Sequence, residues 1–135
     1  MNKSNGTTLI ELVVVLAVVS ILAVVTINVF SRYALKGRRI DGINAILSIS
    51  LAEERYRSTH SLYGTLSQAY AGVSASPLGY YSLAVSNVTA TTYTITATAQ
   101  GNQASDASNG TSCSTLTLAY SSGVFTKTPA ICWPT

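Results

Sequence analysis

Charged residues are scarce in the second half of this 135-residue chain. After Arg57, only Asp106 and Lys127 carry a formal charge, and His60 is the only histidine in the sequence. Acid–base or nucleophilic catalysis needs paired carboxylates or a Ser/His/Asp set, and these residues supply neither. The sequence therefore argues against an enzyme and predicts no catalytic residue, no metal site and no cofactor. His60 is expected to be a plain loop residue.

Proline is absent before Pro77, and the stretch from Leu9 to Phe30 is almost continuously apolar. About twenty apolar residues can cross a bilayer as a helix, and this run is longer than the core of a cleaved secretory signal. Lys3 lies before the run. The basic residues that follow, expected at the membrane surface, are Arg32, Lys36, Arg38 and Arg39. Because bases lie on both sides, the positive-inside rule leaves the orientation open, and a plain membrane anchor is the simplest interpretation.

Glu11 places a carboxylate two residues into this apolar run, with no basic side chain near it in sequence. An acid at the centre of a membrane helix costs about 2.5 to 3.5 kcal/mol, so a plain anchor has no use for it. If the chain were cut after Gly6, the new amino group on Thr7 would lie four residues before Glu11 on the same helix face. The cut would supply the missing cation.

A family resemblance rests on the residues around Glu11, from Gly6 to Val14, which read GTTLIELVV. This segment resembles the class III signal of type IV pilins, in particular small type IVa-like pilins, and of type II secretion pseudopilins. The resemblance implies that a prepilin peptidase cuts after Gly6 and that the new N-terminus on Thr7 is methylated. It also implies that Glu11 supports assembly by meeting the N-terminus of a neighbouring subunit. The family usually has Phe or another apolar residue where this chain has Thr7.

The resemblance also implies a location, partners and domain boundaries. The precursor would lie in the inner membrane and, through the pilus assembly machinery, become a homopolymeric pilus (fimbrium) on the bacterial surface. Residues 1–6 would be the leader and residues 7–59 the N-terminal helix. Within that helix, residues 7–30 would span the membrane and form the filament core, and residues 31–59 would be amphipathic. Residues 60–135 would form the globular head.

From Arg32 onwards the apolar residues become periodic. The stripe consists of Ile40, Ile43, Leu47 and Leu51, flanked by Ile46 and Ala52. Spacings of three, four and four predict an amphipathic helix that buries this stripe. Joined to the apolar run, the pattern predicts one continuous helix from Leu9 to Arg57.

Beyond Pro77 the period of the pattern becomes two, which indicates β-strands. The predicted strands are Tyr80–Ser86, Tyr93–Ala99, Thr115–Tyr120 and Gly123–Thr128. The segment from Gln100 to Ser112, rich in Gly, Asn, Ser and Ala, is predicted to be a surface loop. The fold class is therefore α+β, with a long N-terminal helix packed on a small antiparallel four-stranded sheet, as in the type IV pilin fold.

The two cysteines, Cys113 and Cys132, lie nineteen positions apart around the last predicted hairpin. An even number of cysteines in an exported segment favours a disulfide bond. A closed loop of this size would stabilise the head by about 3 kcal/mol in the chain-entropy model. A small head needs such a cross-link because its hydrophobic core is limited.

Several functions stay open at this level. Within the filament class, the chain could be a pilus subunit for adhesion, twitching motility or DNA uptake in natural transformation, a minor pilin with an adhesive or DNA-binding role, or a type II secretion pseudopilin. DNA and host surfaces are the candidate ligands of the head. DNA binding needs a basic surface, to which Lys127, Arg55 and Arg57 could contribute. Outside the filament class, the alternative is a single-span membrane anchor with a periplasmic binding head.

Overall fold

The computed structural model describes residues 8–134, without the side chains of Val25 and Asn28. The chain divides into two compact units, Met1–Ala34 and Leu35–Thr135, called the first and the second unit below.

The helix α1 covers Leu9–Arg57, the range that the sequence predicts. In the first unit, the described side chains from Leu9 to Tyr33 are exposed, and the helix is long and apolar enough to cross a membrane. The hydroxyl groups of Ser20 and Thr26 donate hydrogen bonds to carbonyl oxygens one turn earlier in the helix, at 2.7 Å each. These bonds satisfy the two hydroxyls inside the helix, as an apolar surrounding requires.

The second unit contains a four-stranded antiparallel sheet. Its strands, in the spatial order β1-β2-β5-β6, are β1 (Tyr81–Ser86), β2 (Thr92–Ala99), β5 (Thr115–Ser121) and β6 (Val124–Thr128). Each strand agrees with its prediction to within one residue. In β2, Tyr93, Ile95 and Ala97 are buried while the threonines between them face outwards. This alternation is what a sheet covered on one face requires.

The core of the second unit lies where α1 packs on the sheet. It contains Ile43, Ile46 and Ile49 of the helix together with buried residues of the strands, among them Tyr81 and Tyr93. The predicted α+β fold, a long N-terminal helix on a four-stranded antiparallel sheet, is therefore confirmed.

The predicted buried stripe of α1 is partly wrong. Ile43 and Ile46 are buried, but Ile40, Leu47 and Leu51 are 45%, 48% and 53% exposed. The buried residues of this part of α1 are Arg39, Asp41, Gly42, Ile43, Ala45, Ile46, Ile49, Ser50 and Glu53. Periodicity of apolar residues misses this face because it carries polar side chains that find partners elsewhere in the fold.

The segment from Gln100 to Ser112 is more structured than the predicted surface loop. It forms a 3-10 helix at Gly101–Ser105 and a hairpin of β3 (Ala107–Ser108) and β4 (Thr111–Ser112). Gln103 and Asp106 within it are buried. The two remaining short elements are the helix α2 (Leu66–Ala69) and a 3-10 helix at Ala130–Cys132.

Candidate functional site

The residues that the sequence assigns to processing and assembly lie at the start of the chain. Gly6 and Thr7 are outside the described residues. Glu11 lies in the first turn of α1, and its side chain is exposed. The cleavage after Gly6, the methylation of Thr7 and the assembly role of Glu11 stay predictions.

Cys113 and Cys132 form a disulfide bond, as predicted, with their Cα atoms 5.7 Å apart. Both residues are buried. Cys113 lies two residues before β5, and Cys132 lies in the 3-10 helix that follows β6. The bond therefore closes the base of the β5–β6 hairpin and holds the C-terminal segment in the core.

A buried ion pair connects α1 to the segment between β2 and β5. The Nε and Nη2 atoms of Arg39 donate to Oδ2 and Oδ1 of Asp106 at 2.6 and 2.8 Å. The Nη1 atom also donates to the carbonyl oxygen of Cys132 at 3.3 Å. The hydrogen bonds with Asp106 raise the pKa of Arg39, so the guanidinium stays charged. Sequence analysis missed this pair; its one signal was that Asp106 is the only acid after Arg57.

A glutamine reinforces the same connection. The amide nitrogen of Gln103 donates to the carbonyl oxygen of Leu35 at 2.9 Å and to the hydroxyl of Tyr81 at 3.1 Å. Burial raises the pKa of the Tyr81 phenol. The loop therefore docks on α1 through the charge-assisted bonds of Asp106 with Arg39, which are stronger than average, and on α1 and β1 through the neutral bonds of Gln103.

Two further acids of the second unit are buried on α1. Asp41 accepts hydrogen bonds from the Ser76 hydroxyl and, at 3.1 Å, from the Leu78 amide. Glu53 accepts one from the Gly64 amide at 2.8 Å, and its Oε1 atom has no hydrogen-bond partner among the described residues. Burial raises the pKa of the Glu53 carboxyl, against the lowering effect of the Gly64 amide. Both acids are therefore hidden from any ligand at the surface.

Basic side chains of the second unit, by contrast, reach the surface. Lys36, Arg38, Arg55, Arg57 and Lys127 are exposed or half-buried, and we call them the accessible bases. Among the described carboxylates of the second unit, only that of Glu54 is exposed. The formal charge of the sequence understates how basic this surface is, because the acids that would balance it lie inside.

Three of the accessible bases lie over aromatic rings, and one of them is Arg57, whose guanidinium carbon is 5.9 Å from the centre of the Tyr63 ring. The guanidinium carbon of Arg38 lies 4.9 Å from the centre of the Tyr80 ring, and the ammonium of Lys127 lies 5.4 Å from the Trp133 ring. Such contacts hold a cation at the surface while leaving its outer side free to bind an anion.

A cavity of about 380 Å³ lies between α1 and the C-terminal segment, and we call it the Trp133 cavity. Its walls are formed by Lys36, Arg39, Ile40, Ile43, Ser108, Ile131, Cys132, Trp133 and Pro134. None of these side chains is acidic. The volume falls within the range of small-molecule sites.

His60 lies in the turn after α1 and serves the local structure. Its ring stacks on Tyr56 with 3.8 Å between the ring centres, and its Nδ1 atom lies 2.9 Å from the Tyr56 carbonyl oxygen. Among the described residues, no group of three or more His, Cys, Asp and Glu side chains could hold a metal ion.

Two protein-family models match the chain. The model described as "Type IV minor pilin ComP, DNA uptake sequence receptor" matches residues 29–117, about two thirds of the sequence. The model described as "Prokaryotic N-terminal methylation motif" matches residues 1–27. The first of these matches begins two residues after the second one ends, within α1, and residues 118–135 lie outside both.

Proposed function

The chain belongs to the type IV minor pilin ComP family, described as DNA uptake sequence receptors, and from this premise we propose that it is a minor pilus subunit whose second unit binds DNA. The family is one of structural pilins. The methylation motif and the apolar N-terminal helix of this chain are those of a precursor that is anchored in the membrane and then becomes part of a pilus on the cell surface.

The DNA-binding role is supported chiefly by the distribution of charge in the second unit. Asp41, Glu53 and Asp106 are buried, and Asp106 is neutralised by Arg39. The accessible bases therefore face solvent, and Glu54 is the only exposed acid among the described residues of this unit. Lysine and arginine side chains bind DNA by neutralising phosphates and releasing counterions, and a surface with few exposed acids favours this. The described residues of the second unit show no comparable feature that would support adhesion to a host surface.

The experiment uses the full-length chain in a non-ionic detergent and a fluorescent DNA duplex, with fluorescence anisotropy as the measurement. We expect affinity to fall linearly with salt on a log–log plot, with a slope of up to about 4.5 if all five accessible bases contact phosphates. Glu54→Gln should raise the affinity because it removes the exposed carboxylate. Absence of binding at low salt would overturn the DNA-binding role without affecting membership of the pilin family.

We further propose that the chain is processed and assembled through its first residues. Residues 1–6 are a leader removed by prepilin peptidase, so that the mature chain begins at a methylated Thr7. Residues 7–30 span the membrane and then form the filament core, the helix continues to Arg57 within residues 31–59, and residues 60–135 form the head. The match to the methylation motif over residues 1–27 supports the leader and the start of the helix.

Polymerisation is supported by the apolar surface that α1 leaves uncovered. The first unit exposes apolar side chains along the helix, and in the second unit Leu47 and Leu51, one turn apart, are also exposed. Apolar patches of this extent mark interaction surfaces in soluble proteins and membrane contacts in membrane proteins. In the filament, neighbouring copies of the chain cover this surface.

Glu11 tests the assembly proposal. Glu11→Ala removes an acid that is costly in lipid, so the precursor should still accumulate in the membrane. The substitution also removes the group that is proposed to meet the N-terminus of a neighbouring subunit, so surface filaments seen by electron microscopy should disappear. The matched control is Glu54→Ala, which removes an exposed acid from the second unit. Intact mass of purified filaments should show that residues 1–6 are absent. Wild-type numbers of filaments from the Glu11 variant, or a mature chain that keeps Met1, would contradict the proposal.

A further inference from the structure

The Trp133 cavity combines a positive charge, apolar walls and an opening at the surface of the second unit. We propose that this cavity seats one phosphate of the DNA backbone, bound by the ammonium of Lys36, with the adjoining deoxyribose against the apolar wall. The inference rests on the proposed DNA-binding function and specifies where on the second unit one of the contacts is made.

The charge inside the cavity comes from Lys36. Arg39 also lines the cavity, but its charge is compensated by Asp106, with which it makes two hydrogen bonds. None of the described residues that line the walls is acidic, so the exposed ammonium of Lys36 has no carboxylate partner among them. An anion that enters the cavity therefore interacts with the full positive charge of the Lys36 ammonium.

The walls strengthen this attraction. Ile40, Ile43 and Ile131 line the cavity, and apolar walls lower the local dielectric constant, which raises the interaction energy between opposite charges. The same side chains offer a surface for the apolar faces of a sugar. A cavity with one cation and apolar walls thus fits a sugar-phosphate better than a small, strongly hydrated anion.

A second cation lies at the aromatic wall. The Lys127 ammonium is 5.4 Å from the ring of Trp133, and Trp133 itself lines the cavity. Because β6 is the edge strand of the sheet and its side chains are exposed, Lys127 is free to meet the phosphate next along the backbone. The cavity therefore marks one end of a path for the DNA backbone.

A competing site for a DNA phosphate lies around Arg55, near the end of α1. Arg55 is nineteen residues after Lys36 on α1, which corresponds to roughly 28 Å along the helix axis. There the exposed carboxylate of Glu54 lies next to it in sequence and weakens the positive potential. A second cavity, near Tyr56 and His60, adjoins this region and lacks a lysine or arginine in its walls. The Trp133 cavity is therefore the stronger anion site.

The test compares equal losses of charge at the two ends, with the full-length chain in detergent and the fluorescent duplex. Each phosphate contact contributes about 0.9 to the salt slope. Lys36→Gln should reduce the slope by about that amount and weaken binding about eightfold at 0.1 M salt, with no difference on extrapolation to 1 M. Arg55→Gln should change the slope by less than half as much. Trp133 fluorescence confirms that each variant is folded.

A second pair of variants changes the cavity without removing a base. Ile131 is 45% exposed and lines the cavity, so Ile131→Glu introduces an acid there, while Ile131→Gln has nearly the same shape and no charge. We expect the Glu variant to bind DNA at least eightfold more weakly than the Gln variant at 0.1 M salt, since the acid cancels the Lys36 contact. Equal affinities for the two variants would overturn the proposal.

The outcomes separate this inference from the proposed function. Failure of the wild-type chain to bind DNA would reject the function. Normal wild-type binding with equal losses for Lys36→Gln and Arg55→Gln would keep the function and reject the cavity as the phosphate site. If Lys36→Gln leaves DNA binding unchanged and instead weakens binding to phosphatidylglycerol vesicles, the cavity binds a lipid headgroup and the inference is wrong.

Discussion

The two glycines of α1 in the second unit should respond in opposite directions to substitution by alanine. At Gly42, a Cβ atom would lie 2.8 to 3.0 Å from three carbon atoms of the Tyr81 ring. At Gly37, a Cβ atom would have no neighbour within 4 Å. The Tyr81 ring is fully buried and its hydroxyl is held by Gln103, so the ring cannot easily move away. The close approach of α1 to β1 therefore depends on Gly42.

The expected magnitudes follow from two opposing terms. Replacing a glycine by alanine inside a helix stabilises it by about 1 kcal/mol. Overpacking a well-packed core costs about 1 to 3 kcal/mol. Gly37→Ala stabilises the helix and adds no steric contact, so its free energy of unfolding should rise by about 1 kcal/mol. Gly42→Ala incurs both terms, so its free energy of unfolding should be unchanged or fall by up to about 2 kcal/mol.

The assay is thermal unfolding of the second unit in the full-length chain, followed by tryptophan fluorescence. Trp133 is the only tryptophan in the sequence and is buried in the core, so its signal reports this unit alone. For a unit of about 100 residues, 1 kcal/mol shifts Tm by about 4 to 8 °C. The Tm of Gly37→Ala should therefore exceed that of Gly42→Ala by at least about 4 °C.

A third variant separates the contact from other effects. In a Tyr81→Leu background, the ring that meets the new Cβ atom is gone, so Gly42→Ala should cost less than it does in the wild type. A coupling between the two sites of about 0.5 to 3 kcal/mol is expected for residues in contact. Similar stabilisation by Gly37→Ala and Gly42→Ala, or the absence of coupling with Tyr81, would refute the reasoning.

Three further predictions concern buried groups of the second unit. Because burial raises the Glu53 pKa above its ordinary value of 4.5, the native state binds a proton more readily than the unfolded state. The free energy of unfolding should therefore fall as pH rises from 4.5 through the raised pKa. Denaturant titrations of Glu53→Gln should lack this fall, and a pH profile equal to that of the wild type would contradict the raised pKa of Glu53. Arg39→Met leaves the Asp106 charge buried without its cationic partner and should lower stability by about 3 to 5 kcal/mol, whereas a loss under about 1 kcal/mol would show that the pair is not a structural connection. Reduction of the Cys113–Cys132 bond should lower stability by about 3 kcal/mol, measured by the same unfolding assay with and without reductant, and equal stability in both would refute a stabilising role.

Local patterns in the sequence were sufficient for the long helix and for the four strands of the main sheet. The helix Leu9–Arg57 follows from an uninterrupted apolar run joined to a region with helical spacing and no proline. The strands follow from alternation of apolar residues with Thr and Ser. The disulfide bond between Cys113 and Cys132 follows from their being the only cysteines of an exported segment. Each of these features depends on residues that are close in sequence or on a simple count.

The functional surface could not be predicted in the same way. The sequence shows eight basic and five acidic residues, but it does not show that Asp41, Glu53 and Asp106 lie inside the fold. Arg39 looked like one more base beside the membrane segment, although it is the buried partner of Asp106. The Trp133 cavity joins residues of α1 to the C-terminal segment, and no local motif links them.

The sequence alone thus determined the helix, the strands, the disulfide bond and the family motif around Glu11, because these depend on periodicity and on neighbouring residues. Only the tertiary structure decided which face of α1 is buried and which charges reach solvent. The Arg39–Asp106 contact joins residues 67 positions apart, and it forms because a buried charge must be paired. That pairing is settled by how α1 and the loop pack together, which no pattern of nearby residues records.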